Sequence, residues 1–313
     1  AGAQVIQAKI GGCTVNDPVH ENIKLWKEEL EKRAPGRIKV DVYPACQLGS
    51  IPRMIEGVQL GTLELFSTPP TNAVGVDPRY AVLDAPGMFK SLAHFDATIT
   101  HPKFRPEFFK LGKDKGMTVI SNWADGATSY ASTKPIRTLD DFRGRKIRVL
   151  ASKVETELLA KFGASGVPVT FSEVLPALQQ GTIDSVRSNI GVMAGQKYFS
   201  VAKSITVVDD GYIPITTWVS NAFYQKLPAD LQKLLFEVGR DVEPMMLKIA
   251  QTFDDNAHKA WREGGAEIIR LSPADQAEFM RRARAVGDEV LGGNPATKEM
   301  YELLKQVAAE TGS

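Results

Sequence analysis

The chain is poor in the residues that covalent chemistry most often needs. Only two of its 313 residues are cysteine, Cys13 and Cys46, and only four are histidine: His20, His94, His101 and His258. There is no CxxC pair and no Cys/His cluster, so neither a zinc site nor thiol redox chemistry is expected. Gly-x-Ser-x-Gly, a P-loop, His-Glu-x-x-His and a GxGxxG after the first strand are all missing, which argues against the common hydrolase, nucleotide-binding, metalloprotease and dinucleotide-binding classes. The scattered histidines read as surface or packing residues rather than general bases. No run of about 18 apolar residues occurs, so no membrane span is expected. Charge of one sign is lacking too. Lys plus Arg number 38 against 37 Asp plus Glu, which gives no bulk field for nucleic acid or a membrane surface.

What is present is ordinary globular material, 43% hydrophobic and 24% charged, long enough for two domains of roughly 150 residues. The opening Ala-Gly-Ala-Gln leads straight into an apolar run, Val5 to Ile10, as a mature chain does after signal removal. That run predicts a strand. Pro18 to Lys32 predicts a helix with Val19, Ile23, Trp26 and Leu30 on one face, stopped by Pro35-Gly36. Ile38, Val40 and Val42 alternate with polar residues in a second strand; a helix from Ile51 to Leu60 and a strand from Leu63 to Ser67 follow. Cys13 and Cys46 each lie just past one of the first two strands. Parallel pairing of those strands would bring them within disulfide reach, and two unrelated buried thiols are the alternative.

The pattern restarts near residue 133. A strand over 144–149, a helix from Ser152 to Phe162, a strand from Val167 to Phe171, a helix capped by Ser172 and a strand after Gly181 are predicted. The helix end Gly61-Thr62-Leu63-Glu64 is repeated as Gly181-Thr182-Ile183-Asp184, so two lobes with the same helix–turn–strand device are expected. Ile205 to Val208 and Thr216 to Ser220 read as two further strands. A helix of about 35 residues starts at Leu227-Pro228-Ala229-Asp230, long enough at 1.5 Å per residue to cross both lobes. Another begins at Ser272-Pro273.

Arg148 stands out. In Lys-Ile-Arg-Val-Leu, residues 146–150, it lies near the carboxyl end of a strand covered on both faces, where a guanidinium must find an anion or an opening. Ligands of open α/β sheets gather at such strand ends, and an arginine there offers a planar fork to a carboxylate. A structural carboxylate partner is the competing reading. Ser188-Asn189, past the strand begun at Ile183, can add neutral donors at the same edge.

Several segments resemble the DctP-type solute-binding proteins of tripartite ATP-independent periplasmic (TRAP) transporters. They are Lys134 to Ile136, Asp141 to Val149, Phe171 to Val174, Leu178 to Asp184, Gly36 to Ser50 and Gly211 to Asn221, in family order over nearly the whole chain. The resemblance implies an α/β, two-lobed periplasmic binding protein fold with a hinge, mixed sheets flanked by helices, and a long helix spanning both lobes. Residues 1–124 with about 213–250 would form one lobe, 125–212 with about 251–313 the other, with the ligand cleft between. It implies a monomer in the periplasm, without cofactor or metal, that passes a small organic acid to a membrane permease. Arg148 would clamp the carboxylate, with Phe171 beside the ligand. Ser188 replaces an asparagine common in relatives, and Asn72 and Thr68 complete the contacts. Thr128 stands where sialic-acid-binding relatives carry a second arginine and Pro69 where they carry a glutamate, so a smaller acid is expected, with Asp210 and Tyr212 serving its hydroxyls. An ABC-type binding protein, a ligand-sensing subunit and an enzyme are the alternatives; the last would need a positioned acid–base pair or nucleophile.

Overall fold

A computed structural model describes residues 2–150 and 152–312. The chain starts as a βαβ unit: β1 (Ile6–Gly11), α1 (Pro18–Arg33) and β2 (Ile38–Tyr43), followed by α2 (Ile51–Leu60) and β3 (Leu65–Thr68). Asp17 caps α1 by accepting from His20 N at 3.0 Å, and Pro18 pre-sets the first helical turn. β1 pairs in parallel with both β2 and β3. Cys13 and Cys46 are joined in a disulfide with their Cα atoms 4.1 Å apart, as the parallel pairing of β1 with β2 allows.

Two short helices, α3 (Leu92–Ile99) and α4 (Arg105–Phe109), lead into β4 (Met117–Ser132). A second run then follows of β5 (Lys146–Val149), α5 (Lys153–Ala160), β6 (Ser165–Pro168), α6 (Val174–Gln180), β7 (Ser185–Asn189) and α7 (Ile190–Gly195). The two similar glycines, Gly61 and Gly181, both close their helices in the left-handed conformation, at φ 89° and 77°. Other expectations need correction. β6 ends at Pro168, which lacks the N–H that ladder pairing would use, so Phe171 lies beyond the strand in a 3₁₀ turn, Phe171–Glu173. Ser172 lies inside that turn and caps nothing; the residue preceding α6 is Glu173.

The third section is β8 (Ser204–Ser220), α8 (Asn221–Gln225), α9 (Ala229–Glu263), β9 (Glu267–Arg270), α10 (Pro273–Val290) and α11 (Lys298–Thr311). The two strands expected over 205–220 are one 17-residue strand. β8 runs antiparallel to the 16-residue β4. Together they form the middle of a single mixed sheet, ordered β2-β1-β3-β8-β4-β7-β5-β6 with β9 beside β8. The β4–β8 ladder is broken by register shifts at Ala124/Gly126 and Ala127/Ser129. Such bulges bend a strand and re-aim its side chains.

α9 is long because it has work along its whole length. Leu231, Leu235, Val238 and Val242 pack with Trp26 and Leu30 against β1–β3, while Ala257 and Trp261 pack with Ile190 and Met193 at the other end. It touches β4 so closely at Gly239 that a Cβ there would lie 1.8 Å from the Ile120 carbonyl oxygen. No helix among the described residues is long and apolar enough to cross a membrane.

Candidate functional site

The sheet topology makes the site. β3 runs inward along one end of β8 and stops with Thr68 opposite Thr216. β7 runs inward along the other end of β4 and stops with Asn189 opposite Thr128. The carboxyl ends of strands from both sides of the sheet therefore converge on the middle of β4 and β8, and a cavity opens there. Cys13 and Thr14 enter from the end of β1, Thr68 and Asn72 from the end of β3, Arg148 and Leu150 from β5, and Ser188 and Asn189 from β7. Phe171, Ile213 and Ile215 of β8, Val19 and Val192 supply apolar lining.

Arg148 is only 2% exposed, yet among the described residues it has no carboxylate bonded to it. Its Nε donates to the Val169 carbonyl at 3.1 Å, one terminal nitrogen makes a long 3.5 Å contact to the Arg187 carbonyl, and the group stands over the Phe171 ring at 5.5 Å. Burial pulls its pKa down, opposed only through space by Tyr198 and Glu155. A buried cation without an anion is costly, so this guanidinium is poised for an external one.

The structural pairing considered for Arg148 falls instead on Arg187, a residue that sequence reasoning passed over. Arg187 donates to Asp210 Oδ2 at 3.0 Å, lies 3.1 Å from Glu155 Oε1, and donates to Tyr130 Oη at 3.2 Å. Burial works against its charge, but Asp210 and Glu155 hold its pKa well above the usual value. The signal was an arginine inside the buried strand Ser-Val-Arg-Ser-Asn, the same signal that marked Arg148.

The structure brings together Arg148, Phe171, Ser188, Asn72 and Thr68, with Asn72 Nδ2 donating to Thr68 Oγ1 at 3.1 Å. Thr128, Asp210 and Tyr212 do not line this cavity. The bulge places Val208 to Gly211 opposite Thr128 alone, and the Thr128 hydroxyl donates to Asp210, whose other oxygen accepts from Arg187 and Tyr130. Tyr212 packs between Phe89 and Phe95 and borders a separate depression with Lys90 and Gln251.

Asp125 is the lining residue that the sequence did not announce. It is the extra residue of the Ala124/Gly126 bulge and is 4% exposed. Its Oδ2 accepts from Asn189 Nδ2 at 2.8 Å, while the Asn189 oxygen accepts from Val192 N at 2.7 Å and so caps α7. Among the described residues Asp125 Oδ1 has no hydrogen-bond partner. Burial pushes its pKa well up, and the neighbouring Asp17 adds to the rise. Asp17 is itself raised to about 6 by burial.

With the geometry in place, likeness to known proteins decides the family. A model of the bacterial extracellular solute-binding proteins, family 7 (DctP), matches residues 12–292. The chain belongs to that family. Among its family 7 relatives is the 2,3-diketo-L-gulonate-binding periplasmic protein YiaO of Escherichia coli, 27% identical, with 88% of this chain and 82% of the relative covered. Another is the C4-dicarboxylate-binding periplasmic protein DctP of Rhodobacter capsulatus, 29% identical over 91% and 82%. The fold matches that of a TRAP periplasmic solute binding protein from Desulfovibrio salexigens with bound orotic acid, at a TM-score of 0.92, 24% identity and 97% and 99% coverage. It also matches the sugar acid binding protein DctPAm from Advenella mimigardefordensis in complex with galactonate, at 0.93, 20% identity and 99% and 100% coverage. The family 7 chain thus has the α/β architecture expected of it, a mixed sheet flanked by helices, with its cavity at the middle of β4 and β8.

Proposed function

We propose that this chain captures a small organic acid in the periplasm by its carboxylate and delivers it to the membrane permease of a TRAP transporter. One observation carries the reading: Arg148, buried in the cavity wall with no carboxylate bonded to it among the described residues. A ligand carboxylate supplies the missing anion and can take both forks of the guanidinium. The acids named for its relatives, from 2,3-diketo-L-gulonate to galactonate, support this choice of ligand class. Phe171 supports the guanidinium plane, and Ser188, Asn72 and Thr68 supply neutral polar groups around the acid. We read the molecule as a binder rather than an enzyme, its two lobes (1–124 with about 213–250, and 125–212 with about 251–313) closing about the middle of β4 and β8.

The test is a thermal-shift screen followed by calorimetric titration of Arg148→Ala. Acids should raise the melting temperature and neutral sugars should not; ligand at a hundred times its Kd adds about 2.7 kcal/mol. Arg148→Ala should cost about 2–5 kcal/mol of affinity, roughly thirtyfold to several thousandfold in Kd. A variant that binds the acid as tightly as the parent refutes the carboxylate clamp.

A further inference from the structure

The cavity is electrically lopsided in a way that narrows the ligand beyond "an acid". Arg148 is the only cation among its lining residues and Asp125 the only carboxyl group. One ligand carboxylate can therefore be neutralised, at Arg148. Val19, Ile213, Ile215 and Val192 give the cavity much of its apolar lining, and Asn189 is the lining residue bonded to Asp125. Among the described residues, Asp125 Oδ1 is a lining polar atom left without a partner. We infer that the Asp125 end is a subsite for an uncharged oxygen, a hydroxyl or a carbonyl of the same acid, and that it rejects a second carboxylate. The inference rests on the proposed carboxylate clamp and adds to it the class of ligand: monocarboxylic hydroxy or keto acids rather than dicarboxylates.

The hydrogen-bond arrangement gives the reason. Asn189 is fixed as a donor to Asp125 Oδ2, because its own oxygen is occupied by Val192 N. The proton of a neutral Asp125 must then sit on Oδ1, the oxygen without a partner. Burial and the adjacent Asp17 both favour that neutral form. Oδ1–H is a donor matched to a hydroxyl or carbonyl oxygen. A second carboxylate would meet the Asp17 carboxyl close behind Asp125 and no second lining cation to offset its lost hydration. The β4 bulge turns Asp125 into this position.

The experiment measures Kd by calorimetry for three matched pairs that differ only in a terminal CH₂OH or carboxylate: 4-hydroxybutanoate and succinate, threonate and tartrate, gluconate and glucarate. In the pairs that fit, the monoacid should bind at least tenfold more tightly than its diacid. Asp125→Leu removes the donor, so monoacid binding should weaken at least tenfold while diacid binding changes little, bringing the monoacid-to-diacid ratio below about three. A parent protein that binds any diacid as tightly as its monoacid overturns the inference, and that comparison needs no variant. So does an unchanged ratio in Asp125→Leu. Arg148→Ala, run in parallel, separates the two readings. Loss of all acid binding there, with the ratio unmoved in Asp125→Leu, overturns the subsite alone. Retained binding there, or no binding of any of the six acids to the parent, overturns the clamp and the subsite with it.

Discussion

Arg148 and Arg187 lie on neighbouring strands and are both almost fully buried, so exchanging each for methionine tests whether their roles are as different as their partners. Arg187→Met strands Asp210 and Glu155, whose carboxylates lie 3.0 and 3.1 Å from the lost guanidinium. Removing one member of a buried ion pair costs about 3–5 kcal/mol, because the charge left behind is uncompensated. At about 2.1 cal/mol/K per residue the chain has an unfolding entropy near 0.66 kcal/mol/K, so the loss should lower Tm by about 5–8 °C. Adding Asp210→Asn should restore part of it, since one stranded charge is then removed. Arg148→Met should leave the ligand-free Tm unchanged or raise it, because it deletes a buried cation that has no anion. Scanning calorimetry of the ligand-free variants reads both effects. Equal losses from the two substitutions, or a loss under 1 kcal/mol at Arg187, would refute the assignment of structural pairing to one arginine and ligand capture to the other.

Two further outcomes are expected. Reducing the Cys13–Cys46 bridge, which closes a loop of 33 residues, should cost about 4 kcal/mol on the chain-entropy estimate, or about 6 °C in Tm, and melting with and without a reductant measures it. Asp17 is almost fully buried and has its pKa raised to about 6, so its contribution is greatest below its unfolded pKa and is lost as pH rises through 6. Asp17→Asn keeps the cap on α1, and its stability relative to the parent should improve by about 2.4 kcal/mol between pH 4 and pH 8. A difference that does not vary with pH in denaturant titrations would contradict the burial argument.

The outer strands were legible because each repeats a local pattern: alternation in Ile38–Tyr43, and a glycine where the chain needs φ > 0 at 61 and 181. Arg148 was legible for the same kind of reason, a charge where strand position permits none without a partner. β4 was not. Its residues are buried on both faces from Met117 to Ser132, so no polar–apolar alternation marks it, and Ala124-Asp125-Gly126 looks like a turn. β8 was read as two strands because Asp209-Asp210-Gly211 also looks like a turn; it is a bulge within one strand, with Asp209 at φ 57°. Bulges decide which side chains face the cavity, and they are set by pairing between residues some 80 positions apart. That is why Asp125 was missed, and why Thr128, Asp210 and Tyr212 were assigned to a site they do not line.

The passage of β4 and β8 through the whole sheet also bears on how this chain can be altered. Neither half owns its middle strands. Cuts near residues 124 and 212 together divide both of them, and α9 keeps one end packed on each side. Lobes divided at those positions would not be interchangeable parts: one expressed alone would carry half-strands with open edges, and grafting one from a relative would break two ladders and a helix interface at once. New specificity in such a scaffold is more accessible by single exchanges at positions such as Asp125 or Ser188, which change the cavity lining and leave every strand intact.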